Sequence, residues 1–280
     1  MTGVLTVIGG WFLTAMSAFI IAALVATVIH YGGFLALLIM IGLAGYIVWR
    51  MHGHHQALAV KQDKHSSLYE SSGKDSLEQK VSRHTKEVLG DAGALFASIL
   101  RDVAEESKTG LKKAYNSSEQ LRSETAILKL TIHDTFKQLS EHQLAKSHYY
   151  VKAIMYLRKM SRSIKELAEQ GLTYVENHHP RLIDSQVQEL GEIQQMVQKA
   201  LHTADTIIAE RALEQVDACE QWCMQQEESL AQYKKHQLER IKSNEVGVRN
   251  STLYLGVLDE AENILIYIRK MLKAYKGLFD

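Results

Sequence analysis

Charged residues are missing from the start of this chain. Residues 1–49 contain no Asp, Glu, Lys or Arg, although the 280-residue chain carries 32 basic and 32 acidic side chains. Cysteine and proline are also scarce, with two and one respectively. So few cysteines exclude a disulfide-rich secreted scaffold, and a single proline leaves room for long uninterrupted helices. The sequence therefore divides into an uncharged beginning and a polar remainder.

Motifs of common catalytic sites are absent from the sequence as well. It contains no phosphate-binding G-x-x-x-x-G-K-[ST] loop, no H-E-x-x-H zinc motif and no G-x-S-x-G nucleophile elbow. Its basic and acidic residues balance, so it also lacks the basic footprint typical of nucleic-acid-binding proteins. We therefore expect neither an enzyme nor a nucleic-acid partner.

The uncharged block predicts a transmembrane helical hairpin over residues 1–51. Val4 to Ile29 is almost entirely apolar. As a helix it would be about 39 Å long, enough to cross a hydrocarbon core of roughly 30 Å. A second apolar run, Phe34 to Trp49, follows Gly32-Gly33. A secretory signal peptide is the competing interpretation, but it requires a basic start and a shorter apolar region.

Basic residues after the second apolar run predict the orientation of the hairpin. Arg50, Lys61 and Lys64 follow that run, whereas the loop between the two runs has no Lys or Arg. Basic residues near membrane spans favour the cytoplasmic side. We therefore expect a multi-pass membrane protein in contact with the lipid bilayer, with its C-terminal part in the cytoplasm.

Small residues in the first apolar run indicate that the hairpin packs against further helices. Gly9, Gly10 and Trp11 are adjacent in the sequence. Glycines in a membrane helix allow a second helix to approach closely. We therefore expect the hairpin to be an incomplete membrane domain.

The remainder of the sequence predicts a linker followed by an all-α bundle. Residues 52–75 are polar and without periodic pattern, whereas residues 76–280 repeat apolar side chains at helical spacing. The clearest stripes are Ile154, Leu157, Met160, Ile164 and Leu167, and Leu253, Val257, Ala261, Ile264, Ile268 and Met271. Narrow stripes on long helices are typical of an antiparallel bundle.

Several residues indicate where these helices break. Gly110 is expected to separate the first two helices, and His178-His179-Pro180 should end the third. Ser185 and Gln188 match a capping box for the fourth helix. Thr203 or Asp205 is a candidate interruption of that helix.

Some candidate metal or redox residues have simpler interpretations. Cys219 and Cys223 are four residues apart, but they fall on an apolar stripe, so packing thiols in a reducing cytoplasm are favoured over a metal or redox pair. Glu176 and His179 form a single E-x-x-H pair, whereas a di-iron bundle needs two. The cluster His52, His54 and His55 is better explained as a solvated stretch beside the membrane.

Two polar stretches carry tyrosine, arginine and small residues near predicted helix starts. They are SHYYVKAIMYLRKM, residues 147–160, and VRNSTLYLGVLDEAEN, residues 248–263. One interpretation is that the tyrosines complete the core and the polar groups cap the helices. The other is a contact surface for an anion or a partner helix.

These stretches and the apolar start resemble one family. VIGGWFLTA, residues 7–15, is similar to a late membrane segment of bacterial inorganic phosphate transporters of the PiT type. Residues 147–160 and RNSTLYLGVLDEAENILIY, residues 249–267, resemble the PhoU-like cytoplasmic domain that some of these transporters carry. The resemblance implies a bacterial inner (plasma) membrane and a PhoU-like bundle over residues 76–280.

The transport motif of that family has no counterpart here. PiT transporters carry a G-A-N-D-V-A-N type motif in each half, and this sequence has none. The sequence resembles the C-terminal part of a transporter. A truncated gene, a split gene or a coding prediction that begins too late would each produce such a sequence. We therefore expect a part that does not transport alone, partnered by the missing transporter membrane helices or by a homo-oligomer.

The resemblance also implies candidate site residues. PhoU-like domains hold metal through Glu-x-x-x-Asp pairs, but the matching positions here are Arg158 with Arg162, and Asp259 with Asn263. The first pair has the wrong charge for a cation and the second keeps one carboxylate, so no cofactor is evident, although a metal at Asp259 and Asn263 remains a candidate.

Three arginines and one asparagine of these stretches are candidate anion or partner contacts instead. Arg158, Arg162, Arg249 and Asn250 are the candidates, with inorganic phosphate as one ligand because arginine presents a fork of donors. The simpler interpretation is that Arg158 and Arg162 pair with acidic residues of an adjacent helix. The competing function is a membrane-anchored helical scaffold or signalling module unrelated to phosphate.

Overall fold

The computed structural model describes two separate parts of the chain. The described residues are 16–20, 22–23, 26–27, 30–33, 77–137 and 141–279. The chain divides into two compact units, Met1–His65 and Ser66–Asp280. In the first unit the described residues have helical backbone. Within the described part of the chain, no helix combines the length and the apolar character that a membrane crossing requires.

The predicted hairpin therefore stays a prediction. Gly9, Gly10 and Trp11, the predicted helix-packing residues, lie outside the described residues, as do the linker histidines His52, His54 and His55.

Six long helices form the second unit, and no strand occurs among its described residues. The helices are α1 (Leu77–Ala104), α2 (Lys108–Lys137), α3 (Glu141–Glu176), α4 (Asp184–Glu210), α5 (Val216–Lys242) and α6 (Val248–Lys276). Short connections make consecutive helices run up and down, as in antiparallel bundles. The all-α bundle of long helices predicted from apolar spacing is confirmed.

The six helices form two groups of three. Helices α1, α2 and α3 pack against one another, and so do α4, α5 and α6. The two groups meet where α1 packs on α4 and where α3 packs on α6. Because consecutive helices alternate in direction, α3 and α6 run in opposite directions and are antiparallel neighbours along much of their length.

The buried core lies entirely within this unit. Among the described residues, every buried apolar side chain falls between Val81 and Leu278. Both predicted stripes, 154–167 on α3 and 253–271 on α6, are buried. Cys219 and Cys223 are buried free thiols on the inner side of α5. Residues 66–280 thus form one compact unit and contain all of the buried apolar core among the described residues, as an independently folding domain does.

The break between α1 and α2 lies before the predicted position. Helix α1 ends at Ala104, and Glu106 takes the left-handed conformation with φ of 54°. Gly110 is instead inside the first turn of α2, where its N–H donates to Ser107 Oγ at 3.2 Å. A Cβ at Gly110 would lie 2.4 Å from Asp102 Oδ2, so this glycine permits a close approach to α1.

Helix α4 also differs from the predicted boundaries. The capping box at the start of α4 is formed by Gln186, whose side-chain oxygen accepts a hydrogen bond from Ile183 N at 3.2 Å. The expected capping pair was Ser185 and Gln188. The helix continues through Thr203 and Asp205 to Glu210. It ends because Arg211 adopts φ of 56°, a left-handed conformation common after helices.

Candidate functional site

The predicted site residues of the bundle all lie on α3 and α6. Arg158 and Arg162 are on α3, and Arg249, Asn250, Asp259 and Asn263 are on α6. We call the contact between these helices the α3–α6 seam. Tyr156 stacks on Tyr267 across it, with ring centroids 6.4 Å apart. Two stretches that are distant in the sequence are therefore adjacent in the fold.

A cleft of about 810 Å³ opens along the seam between the second half of α3 and the first half of α6. Its wall contains Gln170, Thr173 and His179 on one side, and Arg249 and Thr252 on the other. Clefts of this size accommodate small organic ligands or segments of a partner chain.

Gly256 shapes the floor of the cleft. A Cβ at this position would lie 2.2 Å from Gln170 Oε1, so the glycine lets the Gln170 side chain lie flat against α6. The amide of Gln170 therefore offers a donor and an acceptor at the floor.

The charges in the cleft wall are unequally compensated. Each of its three carboxylates is paired: Glu166 with Arg162 at 2.8 Å, Glu169 with Lys165 at 3.0 Å and Asp259 with Lys234 at 2.7 Å. Arg249 is exposed and has no carboxylate partner among the residues described. The cleft therefore favours an anionic group at the end where α6 begins, because that end also carries the positive helix terminus.

The predicted metal residues Asp259 and Asn263 each have a protein partner. Lys234 Nζ of α5 binds Asp259 at 2.7 Å and Glu262 at 2.6 Å. Asn263 Nδ2 donates to Glu260 Oε2 at 3.3 Å. Within the described residues, no three His, Cys, Asp or Glu side chains are grouped so that they could hold a metal ion. A metal at Asp259 and Asn263 stays a prediction.

Glu260 is a buried carboxyl group on the seam. Its side chain faces α3, and burial raises the pKa of this carboxyl above the ordinary value. Hydrogen bonds from Ser163 and Asn263 lower the pKa, whereas the negative charge of Glu166 raises it further. Burial has the largest effect, so the protein around Glu260 favours its neutral form.

Asn250 lies behind the cleft, in a set of buried polar side chains. Its Oδ1 accepts from Gln186 Nε2 at 2.8 Å, and Gln186 also donates to Gln237 Oε1 at 2.9 Å. Gln237 Nε2 in turn donates to Ser251 Oγ at 3.1 Å. The structure thus gives Asn250 a place inside the bundle, whereas its neighbour Arg249 lies at the surface.

Three further residues extend this set. Arg240 forms two hydrogen bonds with Glu189, at 2.9 and 2.7 Å, and Tyr254 donates its hydroxyl to the same carboxylate. Burial and the bond to Glu189 raise the pKa of Tyr254, and the bond to Glu189 raises that of Arg240. We call the seven residues the buried polar network: Gln186, Glu189, Gln237, Arg240, Asn250, Ser251 and Tyr254.

The bundle is similar to a solved structure. That structure is the crystal structure of the phosphate transport system regulatory protein PhoU from Streptococcus pneumoniae, with a TM-score of 0.61 and 14% sequence identity. The match covers 72% of this chain and 94% of that chain. No protein-family model and no curated protein matches the chain. The bundle has a PhoU-like fold.

In this PhoU-like bundle the two predicted arginines of α3 have different surroundings. Arg162 is exposed and bonds Glu166 of its own helix, which raises the pKa of Arg162. Arg158 is half-buried and has no carboxylate partner in the described part of the chain. Glu260 of the adjacent helix α6 also contributes to the raised pKa of Arg162. Pairing of Arg158 and Arg162 with acidic residues of an adjacent helix therefore stays a prediction.

Glu176 and His179, the predicted E-x-x-H pair, each contact another residue in the PhoU-like bundle. Glu176 binds Lys108 Nζ at 3.3 Å, whereas the ring of His179 leans on Tyr174 with centroids 5.1 Å apart. Sequence reasoning missed Gln186, Gln237 and Arg240 altogether. These residues could have been found as polar side chains at positions where the helical repeat predicts an apolar residue.

Proposed function

We propose that this chain is a membrane-anchored part of an inorganic phosphate transport system, in which the PhoU-like bundle regulates transport. The observation that carries the proposal is the similarity of the bundle to a phosphate transport system regulatory protein, over 94% of that protein's chain. Fold similarity suggests a function by analogy. The resemblance of the sequence to PiT transporters with PhoU-like domains supports the same function.

The anchor belongs to the proposal as well. Residues 1–49 carry no charge, and Arg50, Lys61 and Lys64 follow them. This pattern supports C-terminal helices of a transporter in a bacterial plasma membrane, with the bundle in the cytoplasm. The missing transport motif supports a chain that does not move phosphate alone.

The regulatory role would be one of binding rather than catalysis. The three cleft carboxylates are held in ion pairs, which makes them poor general bases. Arg249 is the cation of the cleft that has no carboxylate partner among the described residues, and its planar guanidinium suits phosphate or a carboxylate. Regulation would then follow from an anion or an acidic segment of the transporter occupying this cleft.

Uptake of radiolabelled phosphate in the bacterium that encodes the chain tests the role of Arg249. Cells without the gene should lose the adjustment of uptake to phosphate supply, and the parent sequence should restore it. Arg249→Gln should restore it poorly. Lys113→Gln removes one positive charge from an exposed position on α2 and should restore it fully.

Two results would count against this function. If deletion leaves uptake unchanged at every phosphate supply, the chain is better explained as a scaffold or signalling module unrelated to phosphate. If the purified full chain, reconstituted alone into liposomes, takes up phosphate, then it is a transporter rather than a regulatory part.

A further inference from the structure

The first two thirds of α3 are strongly basic, although the chain as a whole carries equal numbers of basic and acidic side chains. Residues 142–165 contain six Lys or Arg and no Asp or Glu, whereas the whole chain has 32 of each sign. A block of one sign on an ordered helix produces a local positive potential. Such a potential attracts an anionic partner.

Three of these six cations have no carboxylate partner among the described residues. Arg162 and Lys165 form ion pairs, and Lys146 donates to the carbonyl of Leu278 at 3.2 Å. The others are Lys152, Arg158 and Lys159. The ammonium group of Lys152 lies 5.5 Å from the centre of the Tyr149 ring, and that of Lys159 lies 5.6 Å from the centre of the Tyr156 ring. Ring contacts of this kind leave the positive charge available to a partner.

Exposed apolar side chains share the surface with these cations. Leu144 is 54% exposed and Met155 is 36% exposed. Leu144, Lys152, Met155 and Lys159 follow one another at spacings of eight, three and four, so they lie on the same outer side of α3. We call Leu144, Lys152, Met155, Arg158 and Lys159 the basic face. Lysines beside exposed apolar groups are typical of helices that rest on a lipid surface.

The topology of the bundle places the first residue of α1 at the same end as the basic face. Helices α1 and α3 both run up, and Gly171 of α3 lies against Val103 of α1, so Leu77 begins level with the start of α3. Lys146 of α3 donates to the carbonyl of Leu278 at 3.2 Å, so the end of α6 lies at this end of the bundle as well. The described part of the bundle therefore begins at the end that carries the basic face.

We propose that the basic face of α3 docks on anionic phospholipid headgroups of the membrane. The cytoplasmic leaflet carries a negative surface potential, and each Lys or Arg near it contributes about 1 kcal/mol of attraction. Leu144 and Met155 would enter the headgroup region between the lysines. The regulation of phosphate transport does not require this contact, so vesicle binding and phosphate uptake test separate claims.

Co-sedimentation of residues 66–280 with lipid vesicles tests the proposal. This segment contains the complete described core and lacks the uncharged block, which would enter any bilayer. It should sediment with vesicles rich in phosphatidylglycerol, not with phosphatidylcholine vesicles, and added salt should release it. K152Q/K159Q should weaken binding about thirtyfold, the fold-change that corresponds to two cations at about 1 kcal/mol each.

A second double variant keeps the test specific. K112Q/K113Q removes the same charge from exposed positions on α2 and should leave vesicle binding unchanged. Equal losses in the two variants, or no preference of the parent segment for phosphatidylglycerol, would overturn the proposal. Binding to polyglutamate but not to vesicles would assign the face to an acidic protein. Self-association that K152Q/K159Q abolishes would assign it to a second copy. Either result excludes the lipid surface.

Discussion

Two regions of the bundle use polar side chains in opposite ways. The buried polar network lies inside the end where α4 and α6 begin, and its side chains form hydrogen bonds with one another. The basic face lies outside on the first half of α3, and its cations have no carboxylate partners among the described residues. Satisfied buried groups fix the packing of helices, whereas unpaired exposed charges are available to partners. The network therefore belongs to folding, and the face to binding.

Breaking the ion pair of the network should have the largest effect. Glu189→Ala would leave Arg240 buried without its carboxylate, because only 11% of the Arg240 side chain is exposed. We expect the free energy of unfolding to fall by about 3–5 kcal/mol. Urea denaturation of residues 66–280 measures it. Arg122→Ala, which breaks an exposed pair with Glu119, should cost less than about 1 kcal/mol. Equal losses would contradict the distinction.

Removing an amide from the network should cost less. Gln186→Ala takes away donors to Gln237 and Asn250 and the acceptor for the Ile183 N–H. Unsatisfied buried polar groups destabilise a protein by about 1–3 kcal/mol. The same denaturation experiment on Gln188→Ala, an exposed position two residues further along α4, should show little change. A stable Gln186→Ala protein would mean that water replaces the missing amide.

The pH dependence of stability should report on Glu260. Burial raises the pKa of this carboxyl above the ordinary 4.5, so folding is opposed when the group is ionised. The penalty is absent below the ordinary pKa and develops as pH rises through the raised pKa. Glu260→Gln should therefore be more stable than the parent at neutral pH, and the gain should vanish in acid. Urea denaturation across this pH range checks it, with exposed Glu245→Gln as the unaffected control.

The smallest effect on stability is expected at the basic face. K152Q/K159Q should change the free energy of unfolding by less than about 0.5 kcal/mol, because neither lysine has a buried contact to lose. Thermal unfolding of the variant and the parent, followed by circular dichroism, measures this difference. A large loss would show that the contact of Lys159 with the Tyr267 ring of α6, at 5.6 Å, holds α3 in place, and the face would then belong to folding.

Sequence periodicity predicted the helices well because burial of one side determines them. The stripes on α3 and α6 are buried as expected. Helix ends were harder to predict, since Gly110 marked a close contact with Asp102 rather than a break. A residue's neighbours from other helices are not present in its local sequence pattern.

The candidate site was predicted in part for the same reason. Arg249 was singled out from a polar stretch of the sequence and Asp259 from the family resemblance, and both line the cleft. Lys234, which binds Asp259 from α5, was not predicted, because the pairing exists only after three helices pack together. The separation of Arg249 from Asn250, one exposed and one buried, follows from helix rotation against α4 and α5, which composition alone does not define.

The most direct test of a regulatory bundle is phosphate uptake by cells in which residues 66–280 have been deleted from the chain. Initial rates of radiolabelled phosphate uptake would be measured before and after a shift from scarce to abundant phosphate. The parent strain should lower its uptake after the shift, whereas the strain without the bundle should continue at its earlier rate. Identical responses of the two strains would contradict a role of the bundle in regulating phosphate transport.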